Sequence, residues 1–211
     1  MKRMKTKFAI AVALALGLAI QASADFAAVG SAFGCLTTAT SLGQGRGNFG
    51  GGVGIADATS VFGTFTYGLS KYTDGRLRLG FRDNIEAEIT FGADFKWQFW
   101  TVGQGRREPM DMALGGFFEF VDAGGGSVFQ FGGQVFASYP YHLSRGGTLS
   151  PYGRFNIRME SYSGGGASNT ELKFGLNGGV AWKATSTVSL FGEFQFDGND
   201  GLFLGIDFNV M

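Results

Sequence analysis

Two glutamates spaced two residues apart, Glu86 and Glu88, come nearest in this sequence to an acid–base pair. Carboxylates held together on one face of a strand can act as general acid and base. The preceding segment carries Arg76, Arg78 and Arg82 on one face of a strand. If the two segments are neighbouring strands, these cations meet the carboxylates. The sequence therefore favours a network of ion pairs over a catalytic pair.

Histidine and cysteine each occur once, which limits the other chemistry available to the chain. His142 is the only histidine and Cys35 the only cysteine. This nearly excludes a Ser-His or Cys-His pair with a spare ligand and any multi-histidine metal site, and an intrachain disulfide is impossible. The residues before Cys35 do not match a lipoprotein signal, which favours a small buried or membrane-facing thiol. We predict no cofactor, no metal site and no catalytic activity.

Two glycine-containing stretches resemble fragments of ligand-binding loops. Gly43 to Gly47 (GQGRG) lacks the G-x-G-x-x-G spacing and the Gly-Lys-Ser/Thr ending of phosphate loops. Asp197 to Gly201 (DGNDG) lacks the downstream glutamate of a calcium loop. The first is interpreted as a flexible connection into a strand and the second as a tight hairpin turn.

The first 24 residues have the three parts of a secretory signal. Four basic residues precede an apolar run from Phe8 to Ile20, and Ala22-Ser23-Ala24 forms a small-x-small cleavage signature. The apolar run is too short to cross a bilayer as a helix, which needs about 20 residues. We predict a helical signal peptide over 1–24, followed by a lead-in segment over 25–46 that lies in the periplasm or adds a strand.

The elements that must position the charged residues are strands. From Ile85 to Phe99 the odd positions are apolar, while the even positions carry charged, amide, threonine or glycine residues. Successive side chains of a strand point to opposite faces, so this alternation gives one apolar face and one polar face. About ten segments between Phe49 and Val210 follow the same rule.

The apolar faces of these segments contain no charged or amide residue. A charge that faces lipid costs about 2–4 kcal/mol at the membrane midplane, which explains that absence. Inside a bilayer every backbone group must be paired, so a spanning sheet must close. We therefore predict an all-β fold, a closed antiparallel up-and-down transmembrane β-barrel over 47–211 with about ten strands, eight to twelve being possible.

The polar faces are predicted to turn into the lumen, where opposite charges can pair. Basic and acidic residues nearly balance there, which indicates a plugged or very narrow interior. The predicted lumenal charge network comprises Arg76, Arg78, Arg82, Glu86, Glu88, Asp94, Lys96, Glu119, Arg154, Arg158, Glu160, Glu171, Lys173 and Glu193.

Aromatic residues cluster where the descending strands end, if the C-terminus lies in the periplasm. Amphipathic rings favour the membrane–water interface, so this cluster predicts an aromatic girdle. The predicted periplasmic girdle comprises Tyr67, Trp97, Trp100, Tyr139, Tyr141, Tyr152, Trp182 and Phe208.

These features together resemble the small outer-membrane protein β-barrel family, with OmpA/OmpX-like transmembrane domains. The resemblance rests on the signal peptide, the alternating strands, Ser150-Pro151-Tyr152-Gly153 at the start of a strand, and the alternating final strand. It covers roughly Gly47 to Met211. Family members commonly end in Phe or Trp, whereas this chain ends Phe208-Asn209-Val210-Met211.

The resemblance implies a location in the cell outer membrane of a two-membraned bacterium. The expected partners are outer-membrane lipid and, during biogenesis, the barrel assembly machinery and periplasmic chaperones. A mature chain with 13 basic and 17 acidic residues gives no general reason to bind nucleic acid. We predict a structural or interaction role with a filled lumen. The alternatives are a narrow porin-like channel, a membrane-embedded hydrolase, and a soluble barrel that binds an apolar ligand inside.

Overall fold

The sheet closes on itself into an all-β barrel, as the alternating sequence predicts. In this computed structural model, the described residues form a wall of ten antiparallel strands, and a two-residue strand is added at one rim. The structure describes residues 30–83, 87–103, 108–122, 126–144, 146–164 and 167–210. The predicted signal peptide lies outside these residues. In the part described, no helix is both long and apolar enough to cross a membrane, a finding that concerns helices alone.

The strands follow the alternating segments of the sequence, with two-residue to ten-residue connections between them. The wall strands are β1 (Gly47–Ala56), β2 (Thr59–Ser70), β3 (Thr73–Asp83), β4 (Ala87–Trp100), β5 (Asp111–Asp122), β6 (Gly126–Ser138), β8 (Thr148–Gly164), β9 (Ala167–Lys183), β10 (Val188–Phe196) and β11 (Gly201–Asn209). The short strand β7 (Tyr141–His142) pairs with the start of β8.

Pairing of the first strand with the last closes the barrel. β1 pairs with β2 on one side and with β11 on the other, and β6 pairs directly with β8. An even number of wall strands brings Gly47 and Asn209 to the same rim, which we call the terminal rim. The opposite rim carries the turns between β1 and β2 and between β10 and β11.

The two faces of the wall differ as the alternation requires. In β4, Ile89, Phe91 and Phe95 are exposed on the outside, whereas Thr90 and Lys96 are buried on the inside. An exposed belt of large apolar side chains would be costly in water, because burying such groups contributes about 1.5–3 kcal/mol each. The outer surface is therefore suited to lipid, and the soluble barrel with an apolar interior is excluded.

Residues 30–46 differ from the expected lead-in, because they run through the lumen instead of lying in the periplasm or in the sheet. We call them the lumenal segment. Its first residue that is described, Gly30, lies next to Asp197 and Asn199 at the opposite rim. At the other end, the Gly45 amide donates to the carbonyl oxygen of Gly68 near the terminal rim. The segment therefore spans the barrel from one rim to the other.

A cation placed on the outer face of β8 tests which surface meets lipid. Phe155 is exposed on that face, and an arginine at mid-membrane costs about 2–4 kcal/mol against about 0–1 kcal/mol near the interface. We expect Phe155→Arg to lower the free energy of unfolding by about 2–4 kcal/mol, measured by urea titration in lipid vesicles.

The matched control is Ser163→Arg. Ser163 lies on the same strand and the same face as Phe155. It is eight residues nearer to the hairpin between β8 and β9, about 26 Å away at about 3.3 Å per residue. We expect a loss of about 0–1 kcal/mol there. Equal losses at the two positions would contradict a wall that faces lipid.

Candidate functional site

The lumen is lined by charged side chains that are buried from solvent. Arg78, Arg154, Arg158, Glu119 and Glu193 are among the most deeply buried side chains of the barrel. They share the inward parity of their strands, which is why the sequence alternation identified all five. Buried charges need partners, because leaving one unpaired in a low-dielectric interior is expensive.

One group of ion pairs joins β3, β4 and β5. Arg76 and Arg78 both reach Asp94, with nitrogen–oxygen distances of 2.9 and 3.3 Å. Arg78 also pairs with Glu119 at 3.0 Å, and Lys96 pairs with Asp74 at 3.3 Å. The register of the strands brings these residues together. Arg76 on β3 lies opposite Asp94 on β4. Arg78 lies opposite Gly92 on β4, which lies opposite Glu119 on β5.

A second group surrounds Asp197 in the turn between β10 and β11. Arg154 and Arg158 each approach this carboxylate to 3.8 Å, and Arg158 also lies 3.4 Å from Glu160. The alternation of the sequence also predicts that Asp197 faces inward, and its carboxylate is buried there.

The remaining predicted network residues lie towards the opposite rim. Arg82 pairs with Glu88 at 3.5 Å. Glu171 and Lys173 pair with each other on β9 and are partly exposed, apart from the buried groups. Glu86 lies outside the described residues, so the predicted pairing of Glu86 with the arginines stays a prediction.

At the opposite rim, glutamine side chains and carboxylates of the wall hold the lumenal segment through hydrogen bonds. The Ser31 amide donates to Asp197 (3.3 Å) and its hydroxyl to Glu119 (2.7 Å). The Gln195 side chain donates to the carbonyl oxygen of Ser31 (2.8 Å), and Gln130 donates to that of Gly30 (2.7 Å). The same carboxylates thus serve the wall and the segment.

Midway through the lumen, a single carboxylate holds a turn of the segment. Glu193 accepts hydrogen bonds from the Cys35 amide (2.6 Å) and the Leu36 amide (2.9 Å). Gly34 and Leu36 both have positive φ, 63° and 41°, and a backbone turned in this way can aim successive amides at one anion. Tyr152 and Asn177 donate to the same carboxylate at 2.8 and 2.7 Å.

Cationic side chains of the wall bind the carbonyl oxygens that the segment turns towards them. Arg76 donates to the carbonyl of Cys35 (2.8 Å) and Arg78 to that of Gly34 (3.1 Å). Lys96 donates to the carbonyls of Thr38 (2.8 Å) and Thr40 (2.9 Å). These contacts satisfy backbone acceptors that would otherwise be buried without a donor.

Apolar side chains of the segment fill the space between the charged groups. Phe33 meets the ring of Phe62 edge-on at 5.4 Å and lies under the guanidinium of Arg78 at 4.9 Å. Leu36 packs in the same cluster, together with Phe203. The lumen is therefore filled by the lumenal segment as well as by the inward side chains of the wall.

Tyr152 does not belong to the aromatic girdle, and its prediction there is wrong. Its ring is buried in the lumen, where its hydroxyl binds Glu193. Tyr152 has the same parity on β8 as Arg154 and Arg158, so the alternation itself places it inside. The seven other predicted girdle residues are exposed: Tyr67, Trp97, Trp100, Tyr139, Tyr141, Trp182 and Phe208.

Sequence reasoning missed that a segment of the chain itself occupies the lumen. A signal was present, since the stretch from Gly30 to Leu42 (GSAFGCLTTATSL) contains no charge and mostly small side chains. Such a stretch fits a narrow interior in which the wall already supplies the charges. Without the fold, nothing distinguished it from a flexible connection.

The two candidate reactive residues do not form a catalytic pair. Cys35 is buried in the lumen, whereas His142 is exposed on β7 with its Nδ1 atom 3.1 Å from the Thr148 hydroxyl. Among the described residues, no group of three or more His, Cys, Asp or Glu side chains is arranged to hold a metal ion. The arrangement that the lumen does offer is one for binding a peptide backbone.

Closure of the sheet, its apolar outer face and its charged interior define a transmembrane β-barrel. Neither a family model nor a curated protein matches the chain. Similar solved structures include a de novo designed transmembrane β-barrel, with 14% identity over 81% of this chain and 99% of that one, and a TM-score of 0.39.

Two further similar structures are natural barrels. The N-terminal β-barrel domain of Pseudomonas aeruginosa OprF has 13% identity over 80% of this chain and 99% of its own, with a TM-score of 0.38. The KdgM porin has 7% identity over 78% and 99%, with a TM-score of 0.41. The assignment to the barrel class rests on this chain's own strand closure and separated faces.

Replacing Glu193 by glutamine tests the carboxylate that holds the segment. The four groups that bind Glu193 are all donors, so an amide nitrogen there would face donors and the buried arginines would lose a counter-charge. We expect Glu193→Gln to lower the free energy of unfolding by about 2–4 kcal/mol, measured by urea titration in detergent.

Glu171→Gln is the control, since Glu171 pairs with Lys173 in a partly exposed position. Changes at such a surface site usually stay within about 0.5 kcal/mol. A loss of the same size in both variants would show that Glu193 has no special part in holding the segment.

Proposed function

We propose that this protein is an integral barrel of the bacterial outer membrane with a structural or interaction role, and that its lumen is closed by residues 30–46. The observation that carries the proposal is the lumenal segment, which is bound at both rims and in the middle of the barrel. A closed lumen favours a role as a membrane scaffold over one as a channel.

The filling of the interior supports the closed state. A barrel of about this size has an interior that side chains can nearly fill, and here a stretch of backbone is present as well. Arg76, Arg78 and Lys96, which would line a pore, are each bound to a carboxylate and to the segment's backbone. A continuous water-filled path through the barrel would need the hydrogen bonds between these cations and the segment to break together.

An outer-membrane location is supported by the outer face and by the sequence before the barrel. Only helices and closed barrels satisfy their backbone inside lipid, and the predicted signal peptide directs export. We place the terminal rim in the periplasm, where the exposed aromatics Trp97, Trp182 and Phe208 meet the interface.

The longest hairpin supports the interaction role. β8 and β9 each have 17 residues, but β10 pairs with β9 only from Leu176 to Lys183. The hairpin therefore rises beyond the turn between β10 and β11 at the opposite rim. Exposed polar residues such as Asn169 and Thr170 lie on this rising part, where they are available to a partner outside the cell.

Conductance of the intact protein tests the closed lumen. We expect no stable open level in planar bilayers, because the segment and its bonds block the whole length of the barrel. A large and stable conductance of the intact chain would overturn the proposal and favour a porin-like channel.

A variant with a weakened plug provides the comparison. Replacing Phe33 and Leu36 by serine removes the two large apolar contacts of the segment and should produce brief openings in the same recordings. Thr38→Ser is the control and should stay closed, because the wall binds Thr38 through its carbonyl oxygen.

Membrane fractionation tests the location. We expect the protein in the outer-membrane fraction, and we expect heating before a denaturing gel to change its mobility, because a closed barrel resists unfolding by detergent. Recovery in the soluble fraction, with the same mobility before and after heating, would contradict a membrane barrel.

A further inference from the structure

The wall forms more hydrogen bonds with the main chain of the lumenal segment than with the side chains of that segment. Wall side chains donate to the carbonyl oxygens of residues 30, 31, 34, 35, 38 and 40. They accept hydrogen bonds from the amides of residues 31, 35, 36, 39, 41 and 42. Every peptide has these groups, so a surface built this way binds polypeptide backbone as a chemical class.

The side chains of the segment make fewer contacts: the hydroxyls of Ser31, Thr40 and Ser41 donate to carboxylates of the wall, and apolar side chains fill pockets. Phe33 occupies a pocket formed by Phe62, Phe203 and the guanidinium of Arg78, and Leu36 lies beside it. Ala39 is buried in a cluster that contains Phe136 and Tyr152. The preferred sequence is thus uncharged and rich in small residues, with Phe followed three positions later by Leu.

The segment joins the wall through residues 43–46, and the backbone of Gly68 in β2 binds this loop through two hydrogen bonds. Gly43 and Gly45 have positive φ, 88° and 76°, and a Cβ added at either would meet no atom within 4 Å. Covalent attachment through such a loop raises the local concentration of the segment but adds no contact of its own. The non-covalent contacts in the lumen therefore hold the segment in place.

We propose that the lumen is a polypeptide-binding site and that the lumenal segment is its resident ligand. A second peptide of the same chemistry, uncharged and small with the Phe and Leu anchors, binds there when the resident segment leaves. This inference rests on the proposed function, in that the segment closes the lumen, and extends it by naming what the site recognises.

Cutting the loop in the folded protein tests the site without its covalent tether. A protease site is inserted after Gly43, and the full chain is folded in detergent and then cut. We expect the cut segment to stay with the barrel on gel filtration and to exchange with an excess of a fluorescent synthetic peptide of residues 30–43.

Peptide variants distinguish a built site from nonspecific adsorption. A peptide with Phe33→Ala should bind at least tenfold more weakly, because it leaves the aromatic pocket empty. A peptide with Thr38→Ser should bind as well as the parent, since the wall binds the Thr38 carbonyl. Failure of the parent peptide to enter, or equal binding by the Phe33→Ala peptide, would overturn the proposal.

The unmodified chain provides a second measurement, which holds even if the cut protein unfolds. Cys35 is buried and is the only cysteine, so its reaction with a maleimide reports departure of the segment. An excess of the peptide carrying Cys35→Ser should accelerate this labelling several-fold, and the same peptide with Phe33→Ala should not. Equal rates with both peptides would also overturn the proposal.

The two proposals fail in different ways. A stable conductance of the intact, unlabelled protein would remove the closed lumen and with it the resident ligand. A closed lumen whose segment neither exchanges nor yields Cys35 to the maleimide would leave the structural role standing and reject the polypeptide-binding site alone.

Discussion

Lipid accepts neither a charge nor an unpaired backbone group, and this constraint organises the whole molecule. Pairing of β1 with β11 removes the free edges of the sheet, and strict alternation sends the ionic side chains inward. Once inside, these side chains are too close together to remain solvated as they would be at a surface. They must therefore be paired by other groups within the barrel.

The lumenal segment meets part of that requirement. Its backbone supplies amides to carboxylates such as Glu193 and carbonyl oxygens to cations such as Arg76 and Lys96. The ion pairs of the wall and the hydrogen bonds of the segment are thus one network. Because Arg76, Arg78, Lys96 and Asp197 have partners of both kinds, removing the segment changes the environment of the wall as well as the width of the lumen.

Recognition of the backbone also explains why the segment consists mostly of small, uncharged residues. Large or charged side chains would compete for space with Arg78, Arg154 and Phe62, whereas alanine, threonine, serine and glycine leave room for the wall to reach the main chain. Phe33 and Leu36 provide the apolar contacts that set the position of the segment along the barrel. A binding surface of this kind determines the position of the bound chain along the barrel more than it requires a particular sequence.

Alternation of residue types determined the architecture by itself, because a strand's period of two leaves no choice about which side chains share a face. It identified the inward charges of Asp94, Glu119 and Glu193 and the outward ring of Phe155, and applied without exception it places Tyr152 inside as well. Only the tertiary structure decided what fills the lumen. The contacts of residues 30–46 join positions distant in sequence, as when Cys35 meets Glu193, and an uncharged, aperiodic stretch carries no local pattern that specifies such a partner.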